Sequence, residues 1–241
     1  MGREIQKKVI NCKCIQRYVQ VISQIVDLND TENIYCFRGQ ALSCWKLIPS
    51  FFRNQKLSDK SIEKAIYSEL IQNFPSEFAK SIDEITFDDL AKMQHYSIPT
   101  KLLDISFNPL VALFFATETA KGKRGLKEGC VYIFKIPKRF EKFKTNEPVF
   151  KTDETKNDKK ITLVKTSYST ERMQKQDGGF LYSENPETFD EISELVIHEI
   201  HIQNSPKKRI RKELEIMNIS YSTLFPEISE FHKYITERFL K

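Results

Sequence analysis

The sequence predicts an α+β fold in which a mixed sheet is flanked by helices. Two apolar patterns carry this prediction: residues 15–25 repeat apolar side chains at helical spacing, and residues 129–136 are rich in β-branched and aromatic side chains. Helical and strand-like segments do not alternate strictly, which argues against a doubly wound sheet. The chain has 241 residues, 40% of them hydrophobic, and shows no break in composition. We therefore predict one domain over residues 1–241.

The first predicted elements are a helix and a short strand that ends near an arginine. Apolar residues at helical spacing place the N-terminal helix at about residues 12–27. Residues 34–37 are strand-like, and Arg38 follows them directly, with Gly39 ending the strand. A core rich in motifs then extends over about residues 34–136.

Polar and apolar residues are most densely interleaved around residues 94–116. The pattern predicts a half-buried strand that carries Asp104 and Ser106 on one face. Asn108 offers a helix cap and Pro109 suits the first helical position, so a buried helix follows over residues 110–116. Polar groups at the end of such a strand need partners or a purpose.

Two further helices are predicted before this stretch. Residues 61–74 have helical periodicity that places Glu69 among apolar positions, where a carboxylate needs a cationic partner. Residues 87–96 form a second helix, for which Thr86 is the candidate cap.

The second half of the chain is predicted from shorter patterns. Residues 140–160 are rich in Lys, Glu, Asp and Thr and form the candidate mobile insertion. The remaining predicted elements are a strand at 129–136, a turn and strand within 169–182, a strand within 194–202, a basic helix at 207–218 and a final amphipathic helix at 228–239.

Composition excludes several classes of function. Seven glycines are too few to favour a glycine-built phosphate loop, and the net charge of +5 permits nucleic acid as a partner without requiring it. We expect a cytoplasmic protein without a membrane span or secretory signal. Five cysteines, an odd number, match no disulfide framework or zinc pattern, so we expect reduced thiols and no metal site.

Two charged motifs are weaker candidates for function. The segment His198-Glu199-Ile200-His201 is one residue short of the zinc-protease pattern, and in a strand its two histidines face opposite sides. The basic residues in 207–212 suit nucleic-acid phosphate, but a solvated helix face explains them more simply, and no aromatic residues interleave with them for base stacking.

The central motifs resemble those of the FRG domain family, which is named for its sequence rather than for an activity. The resemblance rests on Phe37-Arg38-Gly39-Gln40, Trp45 with Leu47-Ile48-Pro49-Ser50 and Arg53, Gln94-His95-Tyr96, Ile98-Pro99-Thr100, Leu102-Leu103-Asp104, and residues 108–116, and it continues through 129–132, Arg172, Gln176, Phe180 and 224–226. Three positions depart from the family pattern: Lys101 replaces an arginine, Ser97 a glycine and Ile105 a tryptophan.

A weaker resemblance is to arginine-based ADP-ribosyltransferases. Their order of an arginine after a core strand, a Ser or Thr strand, a helix with alanine and paired aromatics, and a late glutamate is similar to Arg38, Ser106, Ala112 with Phe114-Phe115, and Glu227. This resemblance implies a split sheet and an enzyme that uses NAD to modify nucleic acid or protein, acting as a bacterial toxin or phage-defence effector.

The resemblances imply a set of site residues. The implied catalytic residues are Arg38, Ser106, Glu227 and Asp104; the implied NAD-binding residues are Arg38, Gln40, Gln94, His95, Tyr96, Thr100, Asn108 and Gln176. Arg38 would hold the pyrophosphate or ribose, and Glu227 or Asp104 would stabilise the charge that develops as nicotinamide leaves.

Each implied role has a structural alternative. Arg38 and Asp104 equally fit an ion pair that joins two strands, and Ser106 and Asn108 fit a strand end and a helix cap. His95 suits a hydrogen-bonded packing role, Gln176 suits satisfaction of backbone near a turn, and Glu227 suits the start of the final helix. The alternative function is therefore a non-catalytic module of the FRG family that binds a ligand or nucleic acid.

Overall fold

The computed structural model describes residues 8–53, 60–119, 128–142, 145–150, 161–165, 171–185, 194–227 and 235. Most of the predicted insertion at 140–160 and nearly all of the predicted final helix at 228–239 lie outside these residues.

Eight strands and eight α-helices are described. In chain order they are β1 (Lys8–Cys12), α1 (Ile15–Ile25), β2 (Asn33–Gln40), α2 (Ser50–Arg53), α3 (Lys60–Asn73), α4 (Phe87–His95), β3 (Leu102–Ser106), α5 (Pro109–Ala116), β4 (Gly129–Pro137), β5 (Glu141–Lys142), β6 (Thr162–Val164), α6 (Glu171–Lys175), β7 (Gly178–Tyr182), β8 (Val196–Ile202), α7 (Asn204–Ile216) and α8 (Tyr221–Leu224).

The strands form one mixed sheet, which confirms the predicted α+β class. Their order is β1-β8-β4-β2-β3-β7-β6-β5. The outer pairs β1–β8 and β5–β6 are parallel, and every pair between them is antiparallel. No sequence pattern predicted β1, because a five-residue edge strand gives little periodicity.

The sheet parts in its middle, between β2 and β3. Strand β2 pairs with β4 along its whole length, and β3 pairs with β7 along its whole length. Between β2 and β3, however, a single register pair is formed, Phe37 with Ser106. Residues beyond this pair have no strand neighbour on that side, so their backbone groups need other partners.

Three apolar clusters cover the two faces of the sheet. On one face, α1, α5 and α7 pack on the β1-to-β2 half, while α3 and α4 pack on the β3-to-β6 half. The third cluster lies on the opposite face and extends across both halves, with Leu47, Ile48 and Phe52 packed on it. The strands between the two layers are therefore buried on both faces.

The helix starts follow the predicted capping chemistry. Thr86 and Asp89 form a reciprocal capping box at α4, and Asn108 Oδ1 accepts the Leu110 amide at 2.9 Å at α5. A Cβ atom at Gly39 would lie 1.8 Å from the backbone oxygen of Ala112, so only glycine lets α5 pack this closely on β2.

Two sequence predictions within the core were wrong. Strand β2 does not end at Gly39 but continues through it to Gln40, because the glycine serves the packing of α5 rather than a turn. The buried carboxylate of α3 is Glu63, whereas Glu69 is exposed. The partner of Glu63 is Lys101, with 2.5 Å between Oε2 and Nζ.

The predictions for thiols and membrane segments can also be compared with the structure. All five cysteines are free thiols, as predicted. Among the described residues, no helix has the length and apolar character needed to cross a membrane.

Candidate functional site

The guanidinium of Arg38 lies where β2 and β3 part. Its Nη1 donates to the backbone oxygen of Asp104 at 2.5 Å and lies 3.5 Å from Asp104 Oδ2. The guanidinium thus occupies the place of a strand neighbour for a carbonyl that β2 has left unpaired. An arginine at this position follows from the divergence of the two strands.

Asp104 is the exposed member of this pair and has a second partner. Its side chain is 63% exposed, against 12% for Arg38. Gln94 Nε2, near the C-terminal end of α4, donates to Asp104 Oδ1 at 2.5 Å, and Gln94 Oε1 accepts the Thr100 hydroxyl. Four predicted site residues, Arg38, Gln94, Thr100 and Asp104, therefore form one continuous hydrogen-bonded chain.

Gln40 extends this chain on β2. With its amide oriented to satisfy both neighbours, Gln40 donates to the backbone oxygen of Trp45 at 3.0 Å and accepts from Arg38 Nε at 3.3 Å. Gln40 thus holds the guanidinium from behind, while Asp104 lies on its solvent side.

The site carries two positive charges beside one exposed carboxylate. Burial lowers the pKa of the Arg38 guanidinium, Asp104 raises it, and the nearby charge of Arg53 lowers it further. The Arg38 guanidinium stays charged. Arg53 itself is exposed, and its Nε donates to the backbone oxygen of Ile48 at 3.2 Å. The excess positive charge favours an anionic ligand.

A cleft of about 240 Å³ lies against Asp104. Its polar lining comes from Ser50, Arg53, Gln94, Ser97 and Asp104, and Ile98 and Leu102 complete it. Ser97 has a φ of 65°, the left-handed region in which glycine is favoured. Ser97 therefore adopts a backbone conformation that glycine adopts more readily.

Glu227 and His95 form a second group, which does not line the cleft. His95 Nε2 lies 3.7 Å from Glu227 Oε1, and the His95 ring packs edge-on against Tyr96 with 5.3 Å between the ring centres. Glu227 Oε2 is buried and has no hydrogen-bond partner among the described residues. Because Gln94 and His95 are adjacent, the end of α4 contacts both carboxylates that compete for the catalytic assignment.

Ser106 and Gln176 form a third group, whose hydrogen bonds serve the backbone. Ser106 is buried, and its hydroxyl lies 2.7 Å from the backbone oxygen of Gln176 while accepting the Asn108 amide at 3.0 Å. The Gln176 side chain donates to the backbone oxygen of Leu224 at 3.0 Å. Asn108 caps α5. This geometry matches the structural alternatives predicted for Ser106 and Asn108, whereas the Gln176 side chain bonds to the backbone of Leu224 and not near the Gly178-Gly179 turn.

Sequence reasoning missed two features of the site. Arg53 and Ser50 line the cleft, although they entered the sequence analysis only as family positions. The sequence signal that could have identified Arg53 is its position at the end of an apolar segment. Lys101, by contrast, is buried against Glu63 and does not line the cleft.

The basic cluster on α7 is only partly a solvated face. Lys207 is buried and donates to the backbone oxygens of Ala41 and Glu118 at 2.9 and 3.1 Å. Burial lowers the pKa of Lys207 to about 8. Arg211 lies over the Phe114 ring at 3.7 Å and pairs with Glu118. Lys207 and Arg211 therefore pack against the rest of the protein, whereas the sequence predicted that these basic residues face solvent.

Comparison with known proteins gives one family match. Residues 33–124 match the family model of the FRG domain. This match supports the FRG family. The matched segment contains Arg38 and all seven residues that line the cleft, whereas Gln176 and Glu227 lie outside it. No curated protein and no solved structure matches the chain significantly.

Proposed function

We propose that this FRG-domain chain binds NAD at the cleft beside Asp104 and transfers ADP-ribose to a protein or nucleic acid. The observation that carries the proposal is the pairing of Arg38 with an exposed carboxylate at the parting of β2 and β3, with Arg53 nearby. Guanidinium groups suit pyrophosphate because their planar donors bind two oxygens at once.

Asp104 would act as an exchangeable counterion for Arg38. The Nη1–Oδ2 separation of 3.5 Å is long for a charge-assisted hydrogen bond, and the carboxylate is largely in solvent. A phosphate oxygen can therefore replace it at Arg38 at little cost. The cleft of about 240 Å³ is smaller than pockets that enclose whole drug-sized ligands, so it would hold only the pyrophosphate and one ribose.

Glu227 is the better candidate for the catalytic carboxylate. Both Asp104 oxygens have partners, whereas Glu227 Oε2 has none among the described residues. NAD as substrate supplies the glycosidic bond to nicotinamide. Nicotinamide leaves with the electron pair of that bond, the acceptor nucleophile bonds to the ribose carbon, and Glu227 takes the nucleophile's proton. Its carboxylate also stabilises the positive charge on the ribose.

A toxin or phage-defence role would follow from such an activity. NAD consumption or modification of an essential macromolecule would arrest a cell.

A non-catalytic binding module is the second candidate. The observation in its favour is the closed chain from Thr100 through Gln94 to Asp104 and Arg38, which uses both Asp104 oxygens. In this function the chain would recognise an anionic ligand without breaking a bond in it.

The test is incubation of purified protein with NAD labelled on the adenylate part, in the presence of cell extract. Nicotinamide release and label transfer are followed for wild type, Arg38→Ala and Glu227→Gln. We expect release by wild type and a loss of about 100-fold or more in both variants, because each removes a charge that stabilises the transition state. The matched control is Arg17→Ala, since Arg17 is an exposed arginine of α1 that donates a hydrogen bond to Gln20.

The outcomes separate the two functions. Release that is equal in wild type and Arg38→Ala contradicts the proposed site. NAD binding without any release contradicts the transferase and supports the binding module. Loss of binding in Arg38→Ala with retained binding in Glu227→Gln assigns one residue to the ligand and the other to the reaction.

A further inference from the structure

Three side chains able to bind a metal ion meet on strands β4 and β8, outside the cleft. Cys130 is the register partner of His201, and Glu199 lies two residues before His201 on the same strand. All three therefore project from one face of the sheet. Their ligand atoms, one from each residue, lie within 4.8 Å of one another.

The spacing of the nitrogen and oxygen atoms fits two ligands of one ion. His201 Nε2 and Glu199 Oε2 are 3.4 Å apart, which is long for a direct hydrogen bond, whose usual length is about 2.9 Å. Nitrogen and oxygen ligands each at about 2.0–2.2 Å from a tetrahedral zinc ion lie roughly 3.3–3.5 Å apart. The observed separation of His201 Nε2 and Glu199 Oε2 therefore matches that of two ligands of one zinc ion.

A carboxylate behind His201 orients the imidazole for such a site. His201 Nδ1 lies 2.9 Å from Glu128 Oε2 and can donate to this carboxylate, while Nε2 faces Glu199. Metal-binding histidines commonly donate their second ring nitrogen in this way. Glu128 is itself placed by Ser43, whose amide donates to the Glu128 backbone oxygen at 2.9 Å.

The donor set selects the kind of ion. A thiolate with an imidazole and a carboxylate suits Zn²⁺ and disfavours Mg²⁺ and Ca²⁺, which prefer oxygen ligands. Cys130 is fully buried, whereas the side chains of His201 and Glu199 are 18% and 21% exposed. An ion therefore enters from the side of His201 and Glu199 and reaches the sulfur last.

We propose that Cys130, Glu199 and His201 bind one Zn²⁺ ion, with Glu128 supporting His201 and the fourth position open to water. On binding, the proton of the Cys130 thiol and any proton on His201 Nε2 are released to solvent, the Cys130 thiolate binds the ion, and no electron is transferred. His198 takes no part, because it lies on the opposite face of β8. The site is independent of the proposed transferase and holds whether or not the chain uses NAD.

The sequence alone pointed away from this site. The histidine motif on β8 has the wrong spacing for a helical zinc site, and Cys130 lies on another strand far away along the chain. Only the antiparallel register of β4 and β8 brings the sulfur opposite His201.

The test measures the binding of Zn²⁺ and of Co²⁺ to the metal-free full chain. Titration against a chromophoric chelator gives the Zn²⁺ stoichiometry and affinity, and Co²⁺ reports a sulfur ligand through a thiolate charge-transfer band. We expect one Zn²⁺ per chain and a charge-transfer band in wild type. Cys130→Ser should abolish the band, Glu199→Gln should weaken Zn²⁺ binding, and Glu128→Gln should weaken it about 10- to 100-fold.

Two variants serve as matched controls. Cys44→Ser removes an exposed thiol, and His198→Gln removes a histidine from the same strand but the opposite face. Both should keep wild-type affinity and the charge-transfer band. Thermal unfolding of each metal-free variant verifies that it folds.

Three results would overturn the proposal. They are the absence of stoichiometric Zn²⁺ binding in wild type, equal binding in folded Cys130→Ser, and loss of the cobalt band in Cys44→Ser rather than in Cys130→Ser. The last result would assign the metal to the surface thiol.

Discussion

Two ion pairs in the FRG segment, Arg38–Asp104 and Lys101–Glu63, differ in almost every physical respect. In Lys101–Glu63 the charged atoms are 2.5 Å apart, and the side chains are 3% and 4% exposed. In Arg38–Asp104 the separation is 3.5 Å, and the carboxylate is mostly in solvent. Both pairs consist of one cation and one carboxylate, so the sequence alone does not distinguish them.

These differences distinguish an ion pair that stabilises the fold from an ion pair at the candidate site. Lys101 and Glu63 neutralise each other where both side chains are almost fully buried, and each is costly to leave alone there. Arg38 instead has a partner that solvent competes for, and Asp104 keeps a hydrogen-bonding surface open to the cleft. We therefore expect the first pair to contribute to stability, and we propose the second pair for ligand binding.

The largest expected effect comes from Lys101→Met. This variant leaves Glu63 buried without its cation, which should cost about 3–5 kcal/mol of unfolding free energy. For a chain of this length that corresponds to a fall in melting temperature of roughly 6–20 °C. Thermal and denaturant unfolding of the purified variant measure both quantities.

The double variant Glu63→Leu with Lys101→Met is the matched control. It removes both buried charges, so most of the lost stability should return. If Lys101→Met alone stays within about 0.5 kcal/mol of wild type, the pair does not have the buried character assigned to it.

A smaller effect on stability is expected from Asp104→Asn. Because Asp104 is exposed, the change should alter the unfolding free energy by less than about 1 kcal/mol. The same denaturant unfolding experiment measures it alongside Glu63→Gln, which removes the charge from the buried carboxylate and should cost clearly more. Equal losses in the two variants would erase the distinction between the pairs.

The smallest expected effect concerns a third pair, Asp30–Lys135, at the other end of β2. Lys135 Nζ lies 2.7 Å from Asp30 Oδ2. The hydrogen bonds from Lys135 and Asn33 hold the pKa of Asp30 well below its usual range. The unfolded chain therefore binds a proton at Asp30 before the folded chain does, and the stabilising contribution is lost as the pH falls below about 4.

Melting temperatures between about pH 6 and about pH 2 measure this loss for wild type and Asp30→Asn. The wild-type melting temperature should fall more steeply than that of the variant in the acid range. Parallel curves would show that the pair contributes nothing that depends on pH.

Local patterns predicted much of the fold, because they depend on near neighbours in sequence. The cap at Asn108, the capping residue Thr86 and the central strands β2, β3 and β4 all follow from short-range chemistry. Edge strand β1 was missed, and Glu69 was chosen where Glu63 is buried, since the helical pattern of α3 is too weak to fix its inward face.

The candidate site was predicted less completely than the fold. Arg38, Asp104, Gln94 and Thr100 were named from motifs, and the structure brings them into one hydrogen-bonded chain. That Arg38 has an exposed rather than a buried partner depends on the parting of β2 and β3, which is a property of strand register. The meeting of Cys130 with His201 depends on register in the same way.

Calorimetric titration of NAD into wild type, Arg38→Lys and Lys101→Arg tests the central claim most directly. Arg38→Lys keeps the charge but loses the planar fork, so we expect affinity to fall at least about 10-fold. Lys101→Arg keeps a cation at a buried position outside the cleft, and its affinity should equal that of wild type. Unchanged affinity in folded Arg38→Lys, or a loss confined to Lys101→Arg, would contradict the assignment of Arg38 to the ligand.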